Sequence, residues 1–381
     1  MHNIFSQSKS NHRICFLLPR ACEVFLSNNE LNRSGAEVQM ALIARYLYNN
    51  GYNIEVVCEK KQNAISLSSS EYEYKLLPKV SRANTINLAL RYFAHIIRYP
   101  ADLYITRMMT PLLPFYRIAS SLMRRPLIFS CASSYDVNRN FTGNGIPKVF
   151  RNVCKYSLNK CDKVVTQTEW QKNELINNHS IDSTVIPNAI DLDYWKPDCT
   201  HKTRTVVWLG NIRPVKRFDR LIHIAELCPD IDFIAIGSVY NSSKEQITDL
   251  PYNLKWVGKK SRSEVRQILQ HSQILLSTSE SEGFPNTLLE ARALGLYSIF
   301  FNLDSLSTGF FDRDGYLGST VETCQGAVKE INKYMQSSER WKKQSKKSMQ
   351  EWVRNYSVDT VGRKWLELIE SVLSELDTNV V

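Results

Sequence analysis

Ser281-Glu282-Gly283-Phe284-Pro285-Asn286-Thr287-Leu288-Leu289-Glu290-Ala291 is the stretch from which the fold is read. Just upstream, Gln273-Ile274-Leu275-Leu276-Ser277-Thr278 has the composition of a short buried strand. Downstream, Leu288, Leu289, Ala291 and Leu294 recur at helical spacing, which predicts a helix over 287–294 with Asn286 as its N-cap and Gly295 as its stop. A strand, a glycine-containing loop and a helix start together leave backbone N–H groups facing an anion. Glu282 falls in that loop and Glu290 about one turn into the helix, so both carboxylates can accept hydrogen bonds from the hydroxyls of one ligand. Phosphate held by amides and hydroxyls held by carboxylates describe a nucleotide-sugar.

The same strand–helix alternation extends in both directions. In the second half, Thr205–Leu209, Phe233–Ile236, Leu254–Val257 and Leu296–Phe301 read as further strands, with a helix over 218–227. In the first half, Arg13–Leu18, Asn53–Cys58, Leu103–Thr106, Leu127–Ser130, Lys163–Thr166 and Ser183–Ile186 are the strand candidates. The helix from Ser34 to about Asn50 places Val38, Ala41, Leu42, Tyr46 and Leu47 along one side. Alternation at this spacing predicts parallel sheets covered by helices on both faces. The chain of 381 residues is too long for one ordinary core and divides into an N-terminal domain over 1–187, a proline-marked linker over 188–204, a second domain over 205–355 and a last helix within 356–381.

Two more loops carry candidate chemistry. Gly210-Asn211-Ile212-Arg213-Pro214-Val215-Lys216 follows a strand, and its two cations suit a pyrophosphate: Arg213 offers a planar fork and Lys216 a point charge. The turn Ser34-Gly35-Ala36-Glu37 opens a helix, where Gly35 permits close backbone approach to a ligand. In Ser130-Cys131-Ala132-Ser133-Ser134-Tyr135-Asp136, Ser133 or Asp136 either positions a hydroxyl of an acceptor or caps a helix. The seven histidines form no triad and no metal-binding spacing and read as structural.

The Glu282–Glu290 segment resembles the E-x7-E signature of the family-4 retaining glycosyltransferases. The loop ending in Lys216, the Gly35 turn and the Pro187–Pro197 connector resemble that family too. The resemblance implies an α/β chain of GT-B type, with two Rossmann-like doubly wound parallel-sheet domains facing each other across a cleft. It implies that Glu282 contacts the transferred sugar and Glu290 the ribose, in a donor site of Gly210, Gly283, Phe284, Pro285, Asn286, Thr287 and Glu290, with Lys216 and Arg213 on the diphosphate. The last helix would cross back to the first domain, and domain closure would exclude water. The implied reaction moves a hexose or N-acetylhexosamine, with retention, from a nucleotide-diphosphate sugar to a saccharide acceptor, with no cofactor and no required metal. Gly35, Ser133 and Asp136 fall on the acceptor side. The chain departs from the family pattern at Ser34 (usually Gly), at Asn211 (usually Arg) and in lacking a His near Ser133.

Composition bounds the partners. With 48 Lys and Arg against 38 Asp and Glu the net charge is +10, and all of the excess lies in residues 1–190, where 23 cations face 13 anions; residues 191–381 hold 25 of each. Arg91, Arg98, Arg107, Arg117, Arg124 and Arg125 are interleaved with aromatic and aliphatic residues. That pattern suits an anionic membrane surface, or a cationic face that only maintains solubility. No nucleic-acid motif accompanies the charge. No run of apolar residues is long enough to span a bilayer and the N-terminus lacks the apolar core of a secretion signal, so the expected place is the cytoplasm, peripheral on the inner face of the cell membrane. Nine cysteines without Cys-x-x-Cys pairing read as reduced and mostly buried. The family and the basic half together point to a lipid-linked acceptor in cell-surface polysaccharide synthesis (lipopolysaccharide, O-antigen, capsule or exopolysaccharide). Two rivals are a non-catalytic carbohydrate- or lipid-binding module derived from such enzymes, and a dinucleotide-dependent oxidoreductase, for which no Gly-x-Gly-x-x-Gly follows any strand.

Overall fold

The computed structural model describes residues 12–26, 35–60, 73–78, 85–141, 146–198, 203–239, 247–306 and 309–378. The chain forms two compact units, one of residues 1–189 with 358–381 and the other of residues 190–357.

The first unit contains β1 (Arg13–Leu17), α1 (Cys22–Leu26), α2 (Gly35–Asn49), β2 (Asn53–Lys60), β3 (Glu73–Pro78), α3 (Thr85–Arg98), β4 (Leu103–Arg107), α4 (Leu113–Leu122), β5 (Leu127–Ser130), α5 (Lys148–Asn159), β6 (Lys163–Thr166), α6 (Glu169–His179) and β7 (Thr184–Val185). Its seven strands are all parallel in the order β3-β2-β1-β4-β5-β6-β7. Alternation along β1 sends Ile14 and Phe16 into one core layer and Cys15 and Leu17 into the other, so both sheet faces are covered. α3 to α6 cover the Cys15 face.

The second unit contains β8 (Thr205–Leu209), α7 (Phe218–Glu226), β9 (Asp232–Ile236), β10 (Leu254–Trp256), α8 (Arg262–His271), β11 (Ile274–Ser277), α9 (Asn286–Ala293), β12 (Tyr297–Phe301), β13 (Ser319–Val321), α10 (Cys324–Gln336) and α11 (Glu339–Val353). Its order is β10-β9-β8-β11-β12-β13, again parallel. The closing helix α12 (Val358–Thr378) belongs to the first unit, where Val361, Trp365 and Ile369 join the core layer of α2. Gly362 lets the two helices approach: a Cβ there would lie 2.4 Å from the ring of Tyr46.

Several expectations are corrected. On α2, Leu42 and Leu47 are buried as expected, together with Met40, Ile43 and Ala44, while Val38, Ala41 and Tyr46 are only half buried. Within the stretch 188–204 expected as a linker, the part from Ile190 enters the second unit's core, with Ile190 and Trp195 each at most 2% exposed, because an indole of that size is too costly to leave in water. β3 and β13, edge strands of mixed polarity, had no sequence counterpart. Asn286 is the first residue of α9 and Pro285 occupies the cap position, since its φ of −72° already matches a helix entry while its ψ of 122° is still extended.

Candidate active site

In each sheet the strand order reverses once, and in the second unit this happens between β8 and β11. Ligands of open parallel sheets bind beyond the carboxyl ends of the strands at such a switch point. The loops leaving β8 and β11, with the first turns of α9, hold all of the donor-side candidates.

The β8 loop begins at Gly210, beside Gly237 after β9. A Cβ on Gly237 would lie 1.8 Å from the Gly210 carbonyl oxygen, and its φ of +147° also disfavours a side chain, so this packing of two backbones requires glycine. Asn211, exposed at the position where the resembling family has Arg, accepts a hydrogen bond from Ser238 N at 3.1 Å, and Ile212 N donates to Ser238 O at 2.8 Å. Arg213 is exposed just before a single 3-10 turn over Pro214–Lys216. The stem of Lys216 runs across Gly210, where a Cβ would meet its Cδ and Cε at 3.6 Å.

Lys216 Nζ donates to Glu282 Oε1, so two residues 66 positions apart form an ion pair, with 17% and 16% of their side chains exposed. Three further contacts join the loops. Trp208 Nε1 donates to Thr278 Oγ1 at 2.9 Å, Thr278 Oγ1 donates to Lys216 O at 2.7 Å, and Glu280 N donates to Val215 O at 2.9 Å. Trp208 and Thr278 are buried, so this chain aims the Lys216 backbone from within the core. Arg217 binds Asp219 and Glu280 at 2.7 and 2.5 Å, which raises the Arg217 guanidinium and, chiefly through Arg217, lowers Asp219.

In the β11 loop, Gly283, Phe284 and Pro285 are buried, and the Phe284 ring packs on Phe310 and Tyr356 at centroid distances of 5.2 and 5.3 Å. Asn286 and Thr287 are half buried at the first turn of α9, the positive end of the helix dipole. Glu290 lies one turn on, half buried. Burial pushes its carboxyl above the ordinary glutamate value, and the Arg262 charge only partly offsets this. Arg262 itself stacks over Tyr194 at 4.4 Å.

Arg292 was not singled out from the sequence. It is fully buried on α9, lies 4.0 Å from the Trp352 ring centroid and donates to Phe310 O at 2.5 Å and Leu317 O at 2.8 Å. Burial lowers it to about 9. It ties the helix carrying Glu290 to the aromatic wall behind Phe284. A lone cation in the apolar run Leu288–Leu294 was its only sequence signal.

The acceptor-side candidates lie in the first unit. Gly35 is exposed at the start of α2, and Ser34 is outside the described residues. Asp136 is completely buried. Its Oδ1 accepts from Met109 N at 2.9 Å and its Oδ2 from Ala132 N at 2.7 Å and Ser133 N at 3.0 Å. Both oxygens therefore serve as a clamp on three backbone amides, and Ser133 lends its amide to that clamp. This is a capping role and leaves Asp136 no surface for an acceptor. Beside it Arg107 donates to Ser130 Oγ at 3.1 Å and Asn188 Oδ1 at 2.9 Å, and burial lowers its guanidinium to about 10 against the opposing charge of Asp136.

One group of side chains with metal-ligand chemistry occurs among the described residues. Cys15, Glu55 and His95 are buried, with one ligand atom each within 4.8 Å of the others. Glu55 binds His95 Nε2 and Arg13 Nη2, both at 2.9 Å. Burial works to raise the Glu55 carboxyl, but His95 and Arg13 outweigh it and hold it below its ordinary value. Burial also raises the Cys15 thiol, so the group is a self-compensating ion pair with a protonated thiol beside it. The eight cysteines among the described residues are all free thiols, and no helix there is long and apolar enough to cross a membrane.

Comparison with known proteins agrees with this architecture. The family model described as Glycosyltransferase Family 4 matches residues 33–194, and that of Glycosyl transferases group 1 matches residues 192–351. An uncharacterized glycosyltransferase of Haemophilus influenzae is 24% identical over 246 residues, 59% of this chain and 65% of the relative. A D-inositol 3-phosphate glycosyltransferase of Mycobacteroides abscessus is 23% identical over 189 residues, 44% of this chain and 43% of the relative. The matches thus span less than two thirds of either relative. Among solved structures, Anabaena Alr3699/HepE in complex with UDP and glucose superposes with a TM-score of 0.73 at 15% identity, covering 95% of this chain and 100% of that one.

Proposed function

Because the chain belongs to the family-4, group 1 glycosyl transferases of GT-B fold, we propose that it moves a sugar from a nucleotide-diphosphate donor to a saccharide hydroxyl. The observation that carries this reading is the contact of Lys216 with Glu282 at the switch point of the second sheet, in the loop that leads into the helix carrying Glu290. Lys216 has three N–H donors and gives one to Glu282, so its remaining donors and its charge are available to a diphosphate. With Arg213 and the first amides of α9 it would stabilise the negative charge that grows on the leaving group. Glu282 would orient the transferred sugar and Glu290 the ribose. The UDP and glucose of the Anabaena structure are ligands of the same chemical class.

In the proposed reaction the bond from the anomeric carbon to the diphosphate oxygen breaks and its electron pair leaves with the nucleoside diphosphate. The acceptor oxygen attacks the anomeric carbon from the same face, which retains configuration, and its proton passes to the departing phosphate oxygen. No side chain is assigned as nucleophile, and cations with helix-start amides take the part that a metal would otherwise play. We assign the donor sugar to the hexoses or N-acetylhexosamines and the acceptor to a lipid-linked saccharide of cell-surface polysaccharide synthesis, at the inner membrane face.

Thermal unfolding across a panel of UDP-, GDP- and ADP-sugars identifies the donor, because a ligand of the native state alone raises the melting point. Release of nucleoside diphosphate in the presence of saccharide acceptors then separates an enzyme from a non-catalytic module. If no donor shifts the melting point and none is consumed, the donor-site reading fails. A shift without release selects the binding module.

A further inference from the structure

We propose that the outer faces of α3, α4 and α5 form one docking surface for an anionic lipid bilayer. All three helices lie over the Cys15 face of the first sheet, each with an inner stripe buried in that core layer. Each also has a second, outward apolar stripe at helical spacing, for which a core helix has no use. On α3 it is Ile86 and Leu90, on α4 Ile118 and Leu122, and on α5 Val149, Val153 and Tyr156. These side chains are far from marginal in exposure: Val149 is 78% exposed, Tyr156 65% and Leu122 64%. Twelve large hydrophobic side chains are exposed among the described residues; seven lie on these three helices and an eighth, Tyr99, directly follows α3. Helices α10, α11 and α12 contribute none. Single exposed apolar residues need no explanation, but a concentration on adjoining helices marks an interaction surface.

Charge identifies the occupant. None of the three helices contains an aspartate or glutamate, whereas α11 and α12 carry both signs. Exposed cations flank the apolar stripes: Arg98 ends α3, Arg124 follows α4, and Lys148 and Lys155 lie on α5. A partner protein of mixed charge would favour some acidic residues in such a surface. Apolar side chains among cations with no anion match a bilayer of anionic headgroups, into which the side chains insert while the cations stay with the phosphates. Arg117 and Arg125 are spent on Asp162 and Asp102 at 3.4 and 3.2 Å and belong to the scaffold.

The inference deepens the lipid-linked acceptor reading and rests on it for its purpose, but its test needs no donor. Full-length protein is sedimented with vesicles of phosphatidylcholine alone or with about 30% phosphatidylglycerol, at low salt and in about 0.5 M salt. We expect at least about tenfold stronger binding to the anionic vesicles, weakened by salt. We expect a loss of about tenfold in Ile118→Asp/Leu122→Asp, and a similar loss in Lys148→Glu/Lys155→Glu. These positions are exposed, so the melting point should hold; if the aspartate pair melts early, Val149→Ser/Tyr156→Ser is read in its place. Equal binding to neutral and anionic vesicles overturns the proposal, as does binding that survives every variant. So does a dimer in solution that the aspartate pair dissociates without vesicle binding, which would assign the face to a second copy of this chain. Nucleotide-sugar stabilisation, measured on the same variants, should be unchanged, so failure of the docking face and failure of the donor site give different results.

Discussion

At the switch point of the second sheet, between β8 and β11, Lys216 and Glu282 meet with about a sixth of each side chain still exposed. At the corresponding point of the first sheet, between β1 and β4, the neighbouring charges are shut in: Arg107 is spent on Ser130 and Asn188, and Asp136 on three backbone amides. Topology is the same and the chemistry is opposite. A charged pair left partly accessible can exchange its partner for a ligand, whereas a buried group already bonded to its own scaffold contributes to holding loops in place. A switch point offers a place for a ligand, and the burial of its charges decides whether they are accessible to one.

Exchanging the roles of the two regions is the sharpest test. Lys216→Ala should lower turnover by about a hundredfold or more while leaving the unfolding transition in place, as checked by nucleoside diphosphate release and circular dichroism. Asp136→Ala should do the reverse. Three backbone amides lose their acceptor, and denaturant titration should show a loss of about 3 kcal/mol. An Asp136 variant that unfolds normally but cannot turn over would break the comparison, by making that carboxylate a ligand group. Gly362→Ala drives a methyl group into Tyr46 and should cost about 2 kcal/mol by the same titration, partly recovered in a Tyr46→Ala background.

The pH dependence separates Glu290 from Glu55. Glu290 is raised by burial, so its acceptor form is lost at a pH above the ordinary glutamate range. The acid limb of kcat/KM, on which activity is lost as pH is lowered, should lie there, dropping about tenfold per unit, and should vanish in Glu290→Gln. A raised carboxyl also makes the fold gain stability as pH falls from its folded value toward its unfolded one. Glu55 has the opposite sign: its lowered value contributes stability that is present above the unfolded glutamate value and lost as pH falls through the folded one. Urea midpoints across pH for Glu290→Gln and Glu55→Gln should shift in opposite senses. The smallest effect belongs to Asn211→Ala, which removes one exposed hydrogen bond and should cost below about 1 kcal/mol, read as a small shift in melting point.

Much of the fold was legible because buried parallel strands are short runs of apolar residues, and Val206-Val207 or Leu275-Leu276 can hardly be anything else. Edge strands β3 and β13 escaped because an edge needs only one apolar neighbour, so Glu73–Pro78 and Ser319–Val321 lack that signature. The Pro187–Pro197 connector misled in the other direction: its turn residues describe its backbone correctly while Trp195 sends its side chain into a core. At the site, Glu282 and Glu290 stood out through their spacing around a helix start and the family resemblance, and Lys216 through its Gly-led loop after a strand. The clamp role of Asp136 was left open between two readings, since a carboxylate that caps and one that binds have the same local sequence, and Arg292 gave no sign beyond its charge.

By itself the amino-acid order determined the period of the elements, the two-unit α/β plan and the placement of two carboxylates around one helix start, because these depend on neighbours within a few residues. Only the tertiary structure decided that Lys216 meets Glu282 and that Arg292 lies against Trp352. Those partners are brought together by sheet order and helix packing. A parallel sheet joins strands that are distant in the chain, and the desolvation that selects a charge's partner exists only once both strands are in place.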